Sequence, residues 1–72
     1  ERIVLMNERR ERVQEAIMKL SEPFRMAILL HDYEGLSHEE IAEIVGINQA
    51  AARKRYSRAL AALGALLRET LG

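Results

Sequence analysis

Between Arg53 and Arg58 the chain reads RKRYSR, four cations in six residues with a tyrosine and a serine among them. A guanidinium donates in a planar fork that fits phosphate oxygens and the O6/N7 edge of guanine, and a lysine ammonium is a point charge for phosphate. The chemistry open to such a cluster is recognition of a polyanion. Its use depends on where a helix points the charges. At about 100° per residue, Ala52, Tyr56, Ala59, Leu60, Leu63 and Leu67 share one face. Lys54, Ser57 and Arg58 look away from that face, and Arg53 and Arg55 lie on its flanks. The cations therefore form an outward wedge on the N-terminal half of the helix. The plainer alternative is a solvated basic face with no ligand.

Catalytic constellations fail on residue identity. His38-Glu39-Glu40 opens like a helical zinc-protease motif, but the position for the second histidine holds Ala42. Gly35-Leu36-Ser37 opens like a nucleophile elbow, but the required second glycine is Glu39. His31-Asp32 and His38 lie roughly one helical repeat apart, with a helix break between them, so no metal site is expected. There are no cysteines, hence no disulfide, thiolate metal site or cysteine nucleophile, and a reducing cytoplasm is compatible. A chain of 72 residues also has little room to enclose a pocket of several hundred cubic ångströms. No enzyme, cofactor or small-molecule substrate is expected.

The basic cluster must be held by what precedes it. Ser37 stands three residues before Glu40, the spacing of a capping box, and Gly35 upstream suits the left-handed end of a preceding helix. Ile41, Ala42 and Val45 recur at helical spacing. Gly46 ends that short helix, Ile47 plugs inward, and Asn48 is a good N-cap for the next. Two helices joined by a short turn containing glycine form a helix-turn-helix, whose second helix lies in the DNA major groove.

The rest of the chain reads as support. A helix is expected from about Asn7 to Leu20, with Val13, Ala16, Ile17 and Leu20 on one face and Glu8/Arg12 and Glu15/Lys19 as i,i+4 pairs. Residues 1–6 form a frayed helix start or a linker. Ser21 is placed to cap a second helix, with Pro23 tolerated in its first turn; that helix should run to about Tyr33 or Glu34 and bury Phe24, Ala27, Ile28 and Leu30. From Ala59 to Leu67 the last helix carries no polar side chain; Ala61 and Ala65 point outward, and Gly64 weakens it by about 1 kcal/mol relative to alanine. Its two readings are packing against the first helix or an exposed docking face. The fold class expected is all-α, one four-helix domain over residues 1–72 with a C-terminal helix-turn-helix. No apolar run approaches the roughly 18 residues of a membrane span, and no signal peptide is visible.

The net charge is zero, so its distribution matters. Residues 1–20 carry five basic and four acidic groups, residues 21–47 one and six, and residues 48–72 five and one. A basic end faces an acidic middle, and nonspecific DNA affinity should be weak.

SEPFRMAILLHDYEGLSHEEIAEIVGI followed by RKRYSRA resembles region 4 of bacterial sigma factors, particularly the compact extracytoplasmic-function (ECF) group. The likeness covers about residues 20–60. LuxR-type response-regulator domains share a segment similar to EGLSHEEIA, but EPFRMAILL upstream favours sigma. The resemblance implies a cytoplasmic domain that recognises the promoter −35 element and docks on the flap of the RNA polymerase β subunit. By matched position, Arg53, Lys54, Ser57 and Arg58 would face the −35 bases and backbone, Arg55 a phosphate, and His38, Glu39 and His31 the groove edge. Flap docking would use an apolar groove involving Ile28, Leu29 and Leu63. Ala50-Ala51-Ala52 stands where the family often has a small residue followed by Thr-Val, Lys54 where it has Ser or Thr, and Leu60 where a second Arg often follows. Fewer hydroxyls imply narrow or shape-led readout. The alternative from another class is an interaction module that binds an anti-sigma factor in place of DNA.

Overall fold

The computed structural model describes the backbone of residues 2–71 and the side chains of residues 6–69. Four α-helices follow one another: α1 (Arg2–Lys19), α2 (Glu22–Ile28), α3 (His38–Val45) and α4 (Gln49–Leu71), with a π-helical turn over Leu29–Tyr33 continuing α2. No strand occurs among the described residues. Helix α1 begins upstream of the expected Asn7, so residues 2–6 extend it; Glu1 lies outside the described residues.

Three junctions follow the local chemistry expected of them. The Ser37 hydroxyl accepts from the Glu40 backbone N–H at 3.1 Å, and the Ser37 N–H donates to the Glu40 carboxylate at 3.0 Å, closing the capping box on α3. Gly46 leaves α3 at φ 81°, with its N–H and that of Ile47 both reaching the Ala42 carbonyl. The Asn48 side-chain oxygen accepts from the Ala51 N–H at 2.7 Å and so caps α4. Gly35 takes φ 72° between the π turn and Ser37.

Two junctions differ. Ser21 occupies the N-cap position of α2, but its side chain makes no capping hydrogen bond there, and Pro23 lies in the first turn. The second helix does not stay α-helical to Tyr33. The Glu34 N–H reaches back to the Leu29 carbonyl at 3.0 Å, and the Leu36 N–H to the Leu30 carbonyl at 3.0 Å, longer steps than the α pattern. Phe24 and Leu30 are only half-buried, while Ala27 and Ile28 are fully buried.

The core lies where α1, α2 and α4 meet. Ala16, Ile17 and Leu20 pack with Ala27 and Ile28 and with Ala59 and Leu63, and Val13, Phe24, Tyr56, Leu66 and Leu67 close its edges. The apolar tail of α4 is thus covered by α1, the first of the two readings offered for it. Ile41 and Ala42 of α3 are buried, as is Ala52 of α4. Ala61 and Ala65 face outward as the helical wheel requires. Leu60 does not join the inner face; it is 42 % exposed. With Ala52 at zero, Leu60 sits at about +80°, while Ala59, Leu63 and Tyr56 fall within about 40° of the centre.

Two substitutions test this reading of the backbone. A Cβ at Gly46 would meet nothing within 4 Å, so Gly46→Ala should cost only the left-handed backbone penalty, about 1–2 kcal/mol, read by urea unfolding. Gly64→Ala should act oppositely. Its Cβ would make an ordinary 3.5 Å contact with Arg68, and the gain should be about 1 kcal/mol.

Candidate nucleic-acid interface

Helix α4 supplies both the wall of the core and the outer basic face. Because Ala52, Ala59 and Leu63 are buried, the positions half a turn away must face solvent, and Arg53, Lys54, Ser57 and Arg58 are all exposed. Arg55 is half-buried on the flank toward α2, beside Phe24. The capped turn holds this face in place. Asn48 fixes where α4 begins, and the packing of α3 on α4, with Ile41, Ala42 and Ala52 buried, fixes how α3 lies across it. The first turn of α4 presents Gln49, Ala50 and Arg53 around one shallow hollow; Ala51, Lys54, Arg55 and Arg58 line another with Phe24. The arrangement offers a fixed row of cationic donors, suited to phosphates and base edges.

Of the groove-edge residues, Glu39 is exposed at the start of α3, next to the capping box. The Ser37 backbone N–H, and after it the Ser37 hydroxyl, hold the neighbouring Glu40 carboxyl below its ordinary 4.5. His31 and His38 are half-buried and lie together. The break between them had been expected to keep them apart. Instead the π turn and the bend at Gly35 stack their rings face to face, with centroids 4.4 Å apart and planes inclined by 11°. The His31 Nδ1 lies 2.8 Å from the Leu36 carbonyl, which orients that ring.

Tyr56 completes the cluster. Its ring meets His31 edge-on at 4.5 Å and His38 at 5.3 Å, and its hydroxyl donates to Asp32 Oδ1 at 2.7 Å. Burial first, then the Asp32 hydrogen bond and charge, push the Tyr56 phenol up to about 12, so it stays a donor at neutral pH. The His38 imidazole is pushed below its ordinary 6.5, by partial burial first and then by the proximity of His31 and Arg53. Stacked rings do not converge their lone pairs on a point, and no group of three or more His, Cys, Asp or Glu is placed for a metal ion among the described residues.

Sequence reasoning assigned Tyr56 only to the inner face and gave Asp32 no partner. Their hydrogen bond joins the π turn to the basic helix across 24 residues. The one available signal was a tyrosine set among cations on a helix flank. The residues expected to dock a partner are mostly in the core instead: Ile28 is 1 % and Leu63 9 % exposed. Both came from the family resemblance, and in the fold their side chains are taken up by the core. Leu29 is half-buried and lines a hollow with Ile17, Met18 and Tyr33, the last two exposed.

Residues 10–63 match the family model for sigma-70, region 4. The chain is 41 % identical over 63 residues to the ECF RNA polymerase sigma-E factor of Escherichia coli (strain K12), an alignment covering 88 % of this chain and 33 % of that protein. The protein of the same name from Salmonella typhi matches equally. The RNA polymerase sigma-H factor of Pseudomonas aeruginosa is 35 % identical over 71 residues, covering 99 % of this chain and 37 % of that protein. The chain thus spans about a third of the length of the curated relatives it matches. No solved structure matches. The helix-turn-helix and the matched span together place the chain in the sigma-70 region 4 family.

Proposed function

We propose that this chain recognises the promoter −35 element as region 4 of an ECF-type sigma factor in RNA polymerase holoenzyme, directing transcription initiation from the cytoplasm. The observation that carries the reading is the solvent-facing row of Arg53, Lys54, Ser57 and Arg58 on a helix whose start is fixed by Asn48. Family membership and the names of the relatives given above, RNA polymerase sigma factors, support it. Arg53 and Arg58 are the residues for base edges, since a bidentate guanidinium–guanine pair discriminates by about 1–3 kcal/mol. Lys54 and Arg55 neutralise phosphates, and Ser57 adds a hydroxyl between them. Glu39 stands at the groove edge. Ala50 and Ala51 offer no hydrogen bond, so part of the selectivity is read from duplex shape.

Docking on the β flap would use the apolar hollow of Leu29, Met18 and Tyr33, whose lining includes none of the basic row. The same surface suits an anti-sigma factor that competes for it. The function is recognition, and the domain performs no covalent chemistry of its own.

Fluorescence anisotropy of −35-like duplexes across a salt series tests the DNA reading. Neutralising three to five phosphates predicts a log–log slope of roughly −3 to −4.5. Lys54→Ala should lower affinity for all sequences alike and reduce the slope by about 1, whereas Arg58→Ala should also relax preference at one position. An absence of binding even at low salt, with a flap-helix peptide still bound, would sink the reading and leave an interaction module. For docking, Met18→Glu should weaken a flap-helix peptide at least about ten-fold, the loss expected of a charge placed in an apolar contact, and leave the salt slope on DNA unchanged.

A further inference from the structure

The His31, His38 and Tyr56 rings are the place where three elements that must stay in register touch: the π turn, the start of α3 and the basic segment of α4. Each ring has a further tie. His31 Nδ1 pairs with the Leu36 carbonyl, Tyr56 donates to Asp32, and His38 Nδ1 is buried with no hydrogen-bond partner among the described residues. Tyr56 lies between Arg55 and Ser57, so its ring contacts and its Asp32 hydrogen bond tie the π turn to the segment of α4 that carries the side chains assigned to DNA.

The geometry points to His31, His38 and Tyr56 as positioning residues for the basic helix: with His38 uncharged, the stacked rings latch α4 to the π turn, and uptake of a proton at His38 releases it. The inference rests on the DNA reading proposed above for its consequence, but the latch itself is a property of the fold.

The charges around the stack give the sign. From α4, Arg53 faces His38 and opposes a second positive charge there. From the π turn, His31 does the same, while the Asp32 carboxylate is engaged by the Tyr56 hydroxyl. On α3 itself, the Glu40 carboxylate is committed to Ser37, and Glu39 and Glu43 are exposed. Two imidazolium rings 4.4 Å apart repel, and the buried Nδ1 has no acceptor waiting for a proton. Since burial and these neighbours depress His38 in the folded state, the unfolded or unlatched chain binds the proton more readily below pH 6.5. The latch is therefore intact above that pH and weakens as pH falls through the folded value. The Glu40 contribution, depressed from 4.5, is lost only in stronger acid and stays out of this window.

DNA binding should then fall as pH drops from 7.5 to 5.5, by about five-fold at fixed salt, the low end of coupling between two sites. A cationic His31 or His38 resting directly on a phosphate predicts the opposite, tighter binding in acid with a steeper salt slope. The test is anisotropy of the full chain and of His38→Phe on a −35-like duplex at the two pH values, beside NMR titration of the imidazole Cε1–H and α4 amide signals without DNA. The expected result is a weakened acid complex for the native chain, a ratio of affinities between the two pH values near one for His38→Phe whatever its absolute affinity, and α4 amides near Tyr56 shifting with the His38 midpoint. Tighter binding in acid, an unchanged profile in His38→Phe, or α4 amides silent to His38 would each overturn the latch. If no DNA binds at either pH, the −35 reading fails, and the amide titration alone still decides the latch.

Discussion

A single helix has to be a core wall and a reading head at once, and that double duty governs the rest of the structure. Helix α4 touches α1, α2 and α3, so its rotation about its own axis is set by what its inner face buries. Alanines do much of this: Ala59 is fully enclosed and Ala52 nearly so, which lets neighbouring helices approach closely. Close approach leaves little angular play. The outward direction of Arg53, Lys54 and Arg58 is thus a by-product of small residues on the opposite side.

The helix-turn-helix was legible in the sequence because its signals are local. A capping box, a left-handed glycine and an asparagine N-cap each act over three or four residues, and their hydrogen bonds form as the chain spacing demands. Outward and inward faces of α4 were legible for the same reason, since one period describes a regular helix. Leu60 marks the limit of that logic: a residue near the edge of the apolar arc is settled by the neighbour it finds, and it finds solvent.

What was hidden depends on three segments converging. Nothing in HDYEGLSH distinguishes a π turn from the last turn of an α-helix, because both use the same residue types and differ by one step of hydrogen bonding. Without that step His31 and Asp32 could not be assigned to His38 and Tyr56, and a break in the helix read as separation. The docking residues carry a different ambiguity. Large aliphatic side chains such as Ile28 and Leu63 serve burial and docking equally, and only the neighbours decide.

The π turn over Leu29–Tyr33 bears on ancestry as well as on geometry. A π turn holds one more residue in each hydrogen-bonded ring than an α turn does. A chain one residue shorter there would close as ordinary helix and still deliver Ser37 to its cap, but α1 and α2 would turn by about 100° relative to the reading unit. Because Ala27 and Ile28 share one core with Ala59 and Leu63, an insertion or deletion in this segment would pull the inner face of α2 out of register with α4. Across descendants of one ancestor, a length change here would therefore be tolerated only with matching changes on the inner face of α4.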